Sequence, residues 1–385
     1  MAQRTAPQYL LDARCSRGTL RTRAGLELVR YTWLPGAAIS GAAAAGAAAS
    51  GASAASTASS AAAVHQEPAA AQQAPRGVVL LIHGIGTHCT YEWLRHTSFP
   101  HATSYEGCTL HEPRYEGSWV ERLNALGLVV TGIDQQGHGL SPSSRPGLPH
   151  FFERFQELVA DQAELQAAVR AEHPAAPVFV LAASLGGCVA AHLLALPHVE
   201  VAGAVLLAPM LSVEQLKAHR VNRMLLPVAS LASALLPTAR LARKLPHVNA
   251  AMGEHFRADP LNDAEDKVRC RVAYECLRAA EAARSLAPRV RAPLLVFHSL
   301  YDTMVDVAGS EFFVNESSAE PREFVRVDCK DAWHALHNEP GNQQLLDRTV
   351  LWIEERLATL STQSRAAPST PPASTPPVPP ALAAT

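Results

Sequence analysis

PVFVLAASLGGCVAAHLLA, residues 177–195, constrains the architecture more than any other part of the chain. Val178, Phe179, Val180 and Leu181 form an apolar run of the length and composition of a strand buried on both faces. Ala182-Ala183-Ser184-Leu185-Gly186-Gly187 then leads into an alanine- and leucine-rich segment with helical character. A strand, a serine among small residues and a helix together make a nucleophile elbow, a turn that pushes the serine Oγ out above a sheet. Gly186 and Gly187 allow the close approach this turn needs, whereas Ala182 stands where the G-x-S-x-G pattern has glycine. The same run also reads as a helix start with Ser184 as its N-cap, so the rest of the chain has to decide.

The chain has 385 residues, enough for one large domain or a domain with a smaller cap. Its formal net charge of −2, with no long basic block, excludes an electrostatic case for nucleic acid. Seven cysteines without regular spacing argue for free thiols in a reducing compartment rather than a disulfide framework. The first residues, MAQRTAPQYLLDARCSRG, lack the apolar core of a secretory signal. The expectation is a cytoplasmic protein with surface contact to membranes.

Residues 1–35 contain two short strands turning at Ala24-Gly25 and are expected to join the main sheet. Residues 36–76 are an Ala/Gly/Ser-rich low-complexity insertion, too poor in large apolar side chains to span a bilayer. Buried strands are expected at 78–82, 126–133 and 201–207, with a helix at 152–172, giving a core over 77–209. That core is interrupted near 89–114 by a polar insertion carrying Cys89, His96, His101, Cys108 and His111. A zinc site there lacks any paired-ligand spacing. Residues 210–291 read as a helical cap containing an apolar stretch, 224–241, broken by Pro227 and Pro237. The core resumes over 292–361 with strands at 294–298 and 324–327 and a helix at 343–360, and 362–385 is a disordered Pro-rich tail. Alternating strands and helices imply an α/β fold with a mostly parallel central sheet, helices on both faces and a cap inserted after a central strand.

A serine nucleophile needs a base and an acid that orients the base, in the chain order Ser, acid, His and at the carboxyl ends of later strands. Asp302 and His334 satisfy both conditions, although Asp306 and His337 lie close enough to compete. The oxyanion needs two N–H donors. The amide of Leu185, after the serine, is one, and that of Ile85, between Gly84 and Gly86, is the candidate for the other. His83 and His138 also end strand-like runs, but they precede the serine and read as structural.

Taken together, His83-Gly84-x-Gly86-x-His88, Asp134-x-x-Gly137-His138-Gly139-x-Ser141, Ser184-x-Gly186-Gly187, Asp302-x-x-Val305-Asp306 and His334-x-Leu336-x-x-Glu339-Pro340 resemble the monoacylglycerol lipase and lysophospholipase group of α/β-hydrolases (serine aminopeptidase S33-like). Ala208-Pro209-Met210 and Asp259-Pro260-Leu261 are similar too, and Tyr115-Glu116-Gly117-Ser118-Trp119 with the insertion before it is similar to lysophospholipase-like members from protozoan parasites. The resemblance spans roughly 77–360 and implies Ser184 as nucleophile, Asp302 as acid, His334 as base, and Ile85 and Leu185 as oxyanion donors. It implies a serine ester hydrolase cleaving acyl esters of single-chain lipids, with no metal or organic cofactor. The apolar cap stretch would accept the acyl chain and touch a membrane surface, or else cover the domain's own core. Two alternatives remain: a serine hydrolase of small esters, thioesters or peptides, and a non-catalytic interaction protein on the same fold. Ala182, and His298-Ser299 where a glycine is common, depart from the group's pattern.

Overall fold

A computed structural model of the chain describes residues 7, 14–36 and 74–366. Most of the low-complexity insertion and most of the Pro-rich tail therefore lie outside the described residues.

The elements, in chain order, begin with the hairpin β1 (Cys15–Arg21) and β2 (Glu27–Trp33), followed by β3 (Gly77–Ile82). Then come α1 (Cys89–Trp93), β4 (Arg95–Ser98), β5 (Thr109–Arg114), α2 (Trp119–Ala125), β6 (Leu128–Ile133) and α3 (Phe155–Glu172). The elbow joins β7 (Val178–Ala183) to α4 (Leu185–Leu194), and β8 (Gly203–Leu207) follows. Between β8 and the next core strand lie α5 (Glu214–Ala218), α6 (Arg220–Leu225), α7 (Ala229–Leu235), β9 (Arg240–Arg243), α8 (Ala250–Ala258), β10 (Lys267–Arg269) and α9 (Cys270–Leu286). The chain then returns through β11 (Leu294–Ser299), α10 (Val307–Glu316), β12 (Arg322–Val327) and α11 (Asn342–Ala366).

Eight strands form one sheet in the order β1-β2-β6-β3-β7-β8-β11-β12. From β6 to β12 every ladder is parallel, and only the β1–β2 and β2–β6 ladders are antiparallel. Every residue of β3, β6, β7, β8 and β11 is buried, which is why those segments lack polar alternation. The edge strands differ: β1 and β12 carry the exposed arginines Arg17, Arg21, Arg322 and Arg326, and only Leu20 and Val327 in them are buried. Side chains such as Phe179, Val180, Leu80 and Phe297 are wholly excluded from solvent, each contributing about 1.5–3 kcal/mol.

Three further expectations change. The 89–114 segment is not simply a polar appendage, because all of α1 is buried and β4 and β5 form a separate two-stranded sheet. Within 210–291, β9 and β10 pair with each other, and α9 both packs on core helices α3 and α4 and lends Leu277 to the cavity wall. The Phe155 N–H donates to Glu275, and His192 Nε2 bonds the Ala279 carbonyl. Residues 362–366, assigned to the tail, are the last turn of α11.

Candidate active site

The elbow is strained and tightly held. Ser184 has φ 52° and ψ −119°, a conformation that costs a non-glycine residue about 1–3 kcal/mol. Its N–H donates to the Leu207 carbonyl of β8, while its own carbonyl accepts from Cys188 and Met210. A Cβ on Gly186 would lie 2.2 Å from the Ile82 carbonyl oxygen, and one on Gly187 would lie 2.5 Å from Pro209 Cβ. The tightest approaches are thus after the serine, whereas Ala182 sits in unbroken register between Ile82 and Leu206 with its methyl in the core.

Three side chains from different strand ends meet at this turn. The Ser184 hydroxyl lies 2.9 Å from His334 Nε2, and His334 Nδ1 donates to Asp302 Oδ2 at 2.6 Å. The other oxygen of Asp302 accepts from the amides of Met304 and Val305, at 2.7 and 3.0 Å. His298 Nε2 stands 3.4 Å from Asp302 Oδ2, while its Nδ1 bonds the Ser310 hydroxyl. Burial alone would raise the Asp302 pKa, but the charge and hydrogen bonds of His334 and His298 hold it well below the usual carboxylate range. Burial alone would lower that of His334, and the Asp302 carboxylate outweighs it and raises it. A hydroxyl, an imidazole and an ionised carboxylate in line can transfer the hydroxyl proton to the imidazole as the oxygen attacks an electrophile.

The competing residues do other work. Asp306 accepts from the Ser212 hydroxyl and the Glu214 and Gln215 amides, capping the start of the cap segment. His337 is buried, with a pKa lowered to about 3 by desolvation and by His334, and packs against Trp93. His83 Nε2 accepts from the Gln135 amide and its Nδ1 meets the Gly84 carbonyl, and His138 Nδ1 meets the Gln136 carbonyl, as structural residues would.

Ile85 lies on the loop after β3, and Leu185 is the first residue of α4, where the amide has no partner within the helix and the dipole favours negative charge. The loop runs beside the serine: a Cβ on Gly84 would be 3.4 Å from Ser184 Cβ. It is held from two sides. The Gly84 amide donates to Glu92 Oε1 at 3.3 Å, and the Gly86 carbonyl accepts from the Asp263 amide at 2.7 Å. Asp263 is in turn paired with Arg240 and Lys244, which overcome its burial and hold its pKa at about 2. Burial pushes the Glu92 carboxyl up to about 7, against the Gly84 hydrogen bond and the nearby His334. Sequence reasoning does not single out Glu92, His298 or Asp263 as site residues, and of these only His298 stands in a segment quoted above. Nothing in the spacing of Glu92 marks a residue of a polar insertion as the partner of the Gly84 amide.

Ser184 and His334 open into a cavity of about 510 Å³ between the sheet edge and the cap. Leu216, Leu225, Leu226, Ala229, Met252, Phe256 and Leu277 supply an apolar wall, with Lys217, Lys244 and Arg257 among its polar members. The apolar stretch of the cap is two-faced. Leu225, Leu226, Ala229 and Ala232 face the cavity, while Met224 (79% exposed), Leu231, Leu235 (70%) and Leu236 face outward. Among the described residues, no helix is long and apolar enough to cross a membrane, and no group of three or more His, Cys, Asp or Glu side chains is arranged to hold a metal ion.

A mostly parallel sheet with a strand–Ser–helix elbow, a later acid and a final histidine is the α/β-hydrolase fold. The chain belongs to the serine aminopeptidase S33 family, which it matches over residues 105–341. It is 28% identical over 295 residues to the monoacylglycerol lipase of Mycolicibacterium smegmatis, across 74% of this chain and 90% of that one. It is 24% identical over 269 residues, 68% of its length, to an uncharacterized abhydrolase domain-containing protein of Dictyostelium discoideum, of which it spans only 27%. Its fold is similar to that of a soluble variant of monoglyceride lipase from Saccharomyces cerevisiae solved with a substrate analog (TM-score 0.61, 14% identity, 92% of this chain and 97% of that one).

Proposed function

We propose that the protein is a serine ester hydrolase that cleaves acyl esters of single-chain lipids such as monoacylglycerols. The observation that carries this reading is the continuous hydrogen-bonded line from Ser184 through His334 to Asp302, opening into an apolar cavity. Relatives named monoacylglycerol lipase or monoglyceride lipase support the substrate class. Ser184 Oγ attacks the acyl carbonyl as His334 Nε2 takes its proton. The carbonyl oxygen becomes an oxyanion held by the Ile85 and Leu185 amides. Collapse expels the alcohol, protonated by His334, and leaves an acyl-Ser184 ester that water, activated by the same imidazole, hydrolyses. Asp302 holds the imidazole with Nδ1 protonated, so that Nε2 is free to accept. The acyl chain lies along Leu225, Leu226 and Ala229, and the outward residues Met224, Leu231 and Leu235 rest on a lipid surface.

A fluorophosphonate probe labels the native protein and leaves Ser184→Ala unlabelled, and the wild type turns over long-chain monoacylglycerols faster than short-chain esters. A folded wild type that resists the probe rules the proposal out. Replacing Met224, Leu231 and Leu235 by serine weakens binding to phospholipid vesicles and spares turnover of a soluble short-chain ester.

A further inference from the structure

His334 is borne by the connection 328–341, which contains turns and bends but no helix or strand. A catalytic side chain on such a segment must have its position imposed from outside. From the core the segment is held by Ser299, which donates to the Ala332 carbonyl, and by Thr303, which accepts from Trp333 Nε1. Tyr301 also donates its hydroxyl to Asp328, Trp119 Nε1 of α2 donates to the His337 carbonyl, and His247 Nε2 of the cap bonds Glu339 Oε1. A further set of anchors comes from the insertion after β3. Near its start, Asp331 Oδ2 accepts the Tyr105 amide at 3.1 Å, and the Cys329 thiol points at the Thr103 carbonyl at 3.5 Å. At its end, the Gly341 amide donates to the Ala102 carbonyl at 2.6 Å, and Asn338 Nδ2 donates to the Glu92 carbonyl at 2.9 Å. Residues 102, 103 and 105 thus grip both flanks of His334 from one hairpin tip. The Tyr105 ring is itself packed edge-on to Phe99 and His247, and His247 packs against Trp333, next to the base.

We propose that the β4–β5 hairpin tip, residues 99–108, is a brace that sets the position of His334, with Asp331 a positioning residue acting through that contact. This rests on the reading of His334 as the general base. The tip contributes little to the core, since most of its residues are exposed and none is buried. Its removal should loosen the base more than it destabilises the fold.

Ser98 and Thr109 face each other across β4 and β5. An Asn-Gly turn in place of residues 99–108 therefore closes the hairpin as a two-residue loop. On a soluble short-chain ester, kcat of the shortened protein falls about 10–100-fold with KM changed by less than about twofold. The acid limb of kcat/KM moves to lower pH as His334 loses its hold on Asp302, and amide exchange over 328–341 speeds up. Asp331→Ala costs about 3–10-fold in the full chain and nothing further in the shortened one. Asp331→Asn, which keeps an acceptor for the Tyr105 amide, retains activity.

A shortened protein with wild-type kcat, or an Asp331→Ala loss that is the same on both backgrounds, overturns the brace. If the shortened chain does not fold, equal losses in Asp331→Ala and Asp331→Asn overturn it instead. Failure of the esterase reading shows separately, as a wild type that neither reacts with a fluorophosphonate nor hydrolyses esters, whereas the exchange comparison reads the brace without any activity.

Discussion

Asp302→Asn tests the chemistry of the site at one atom. One oxygen of Asp302 receives the Met304 and Val305 amides, and the other receives His334 Nδ1–H. An asparagine can keep its oxygen on the two amides only by turning its NH₂ towards His334. That makes Nδ1 the acceptor and leaves the proton on Nε2, where the ring can no longer accept from Ser184. Turning the amide the other way points NH₂ at two buried N–H donors. At about 1–3 kcal/mol for each bond lost, this costs about 2–6 kcal/mol, so the unproductive tautomer is favoured. A wrong tautomer in this geometry costs about 10⁴-fold in kcat, or about 5 kcal/mol of transition-state stabilisation. The pH dependence follows as well. Asp302 raises the pKa of His334, and only neutral His334 can accept a proton, so the acid limb of wild-type kcat/KM reflects that raised value. In the variant the residual activity has an acid limb at lower pH. The assay is kcat/KM on a chromogenic ester from about pH 5 to 10, a range that spans the histidine limb, beside the rate of fluorophosphonate labelling and a thermal melt. Activity of Asp302→Asn within about tenfold of wild type, or an equal loss in Asp306→Asn without destabilisation, refutes the assignment.

Two further outcomes follow from packing and burial. Gly186→Ala places a methyl within 2.2 Å of the Ile82 oxygen and 2.6 Å of the His83 oxygen, both backbone atoms that cannot swing away. It should cost about 3 kcal/mol or more in urea unfolding and abolish probe labelling, and a variant of wild-type stability would contradict so close an approach of helix to strand at the elbow. Glu92→Gln reports on a raised carboxyl pKa. The folded state favours the neutral acid, so the stability it contributes is fully present below about 4.5 and is lost as pH rises through about 7, a span of about 3 kcal/mol. The glutamine variant should lack that component of the stability–pH curve, and an unchanged curve would show that folding does not shift the Glu92 pKa.

The fold and the meeting of Ser184, His334 and Asp302 were legible because both are encoded locally or in order. Val178 to Leu181 has the length and composition of a buried strand, small residues follow Ser184, and Asp302 and His334 each follow a strand, so pattern and sequence order sufficed to predict their meeting. Choosing Asp302 over Asp306 and His334 over His337 took the family resemblance, because each rival is only a few residues away and of the same chemical type. The hydrogen bonds then show why the rivals are spoken for: Asp306 caps the segment at Ser212, and His337 is buried beside Trp93.

The alternation of elements, the elbow and the order of the site residues are properties of segments a few residues long, and the chain alone was enough to read them. The contacts that surround and hold those residues, made by distant segments with no motif of their own, needed the folded arrangement. Glu92 lies against Gly84, and Asp263 of the cap holds Gly86. His298 backs Asp302, and the tip at Ala102–Tyr105 grips the His334 connection. Hydrogen bonds and burial depend on separation in space, and these contacts between segments far apart in the chain leave no periodicity or spacing for a sequence reading to find.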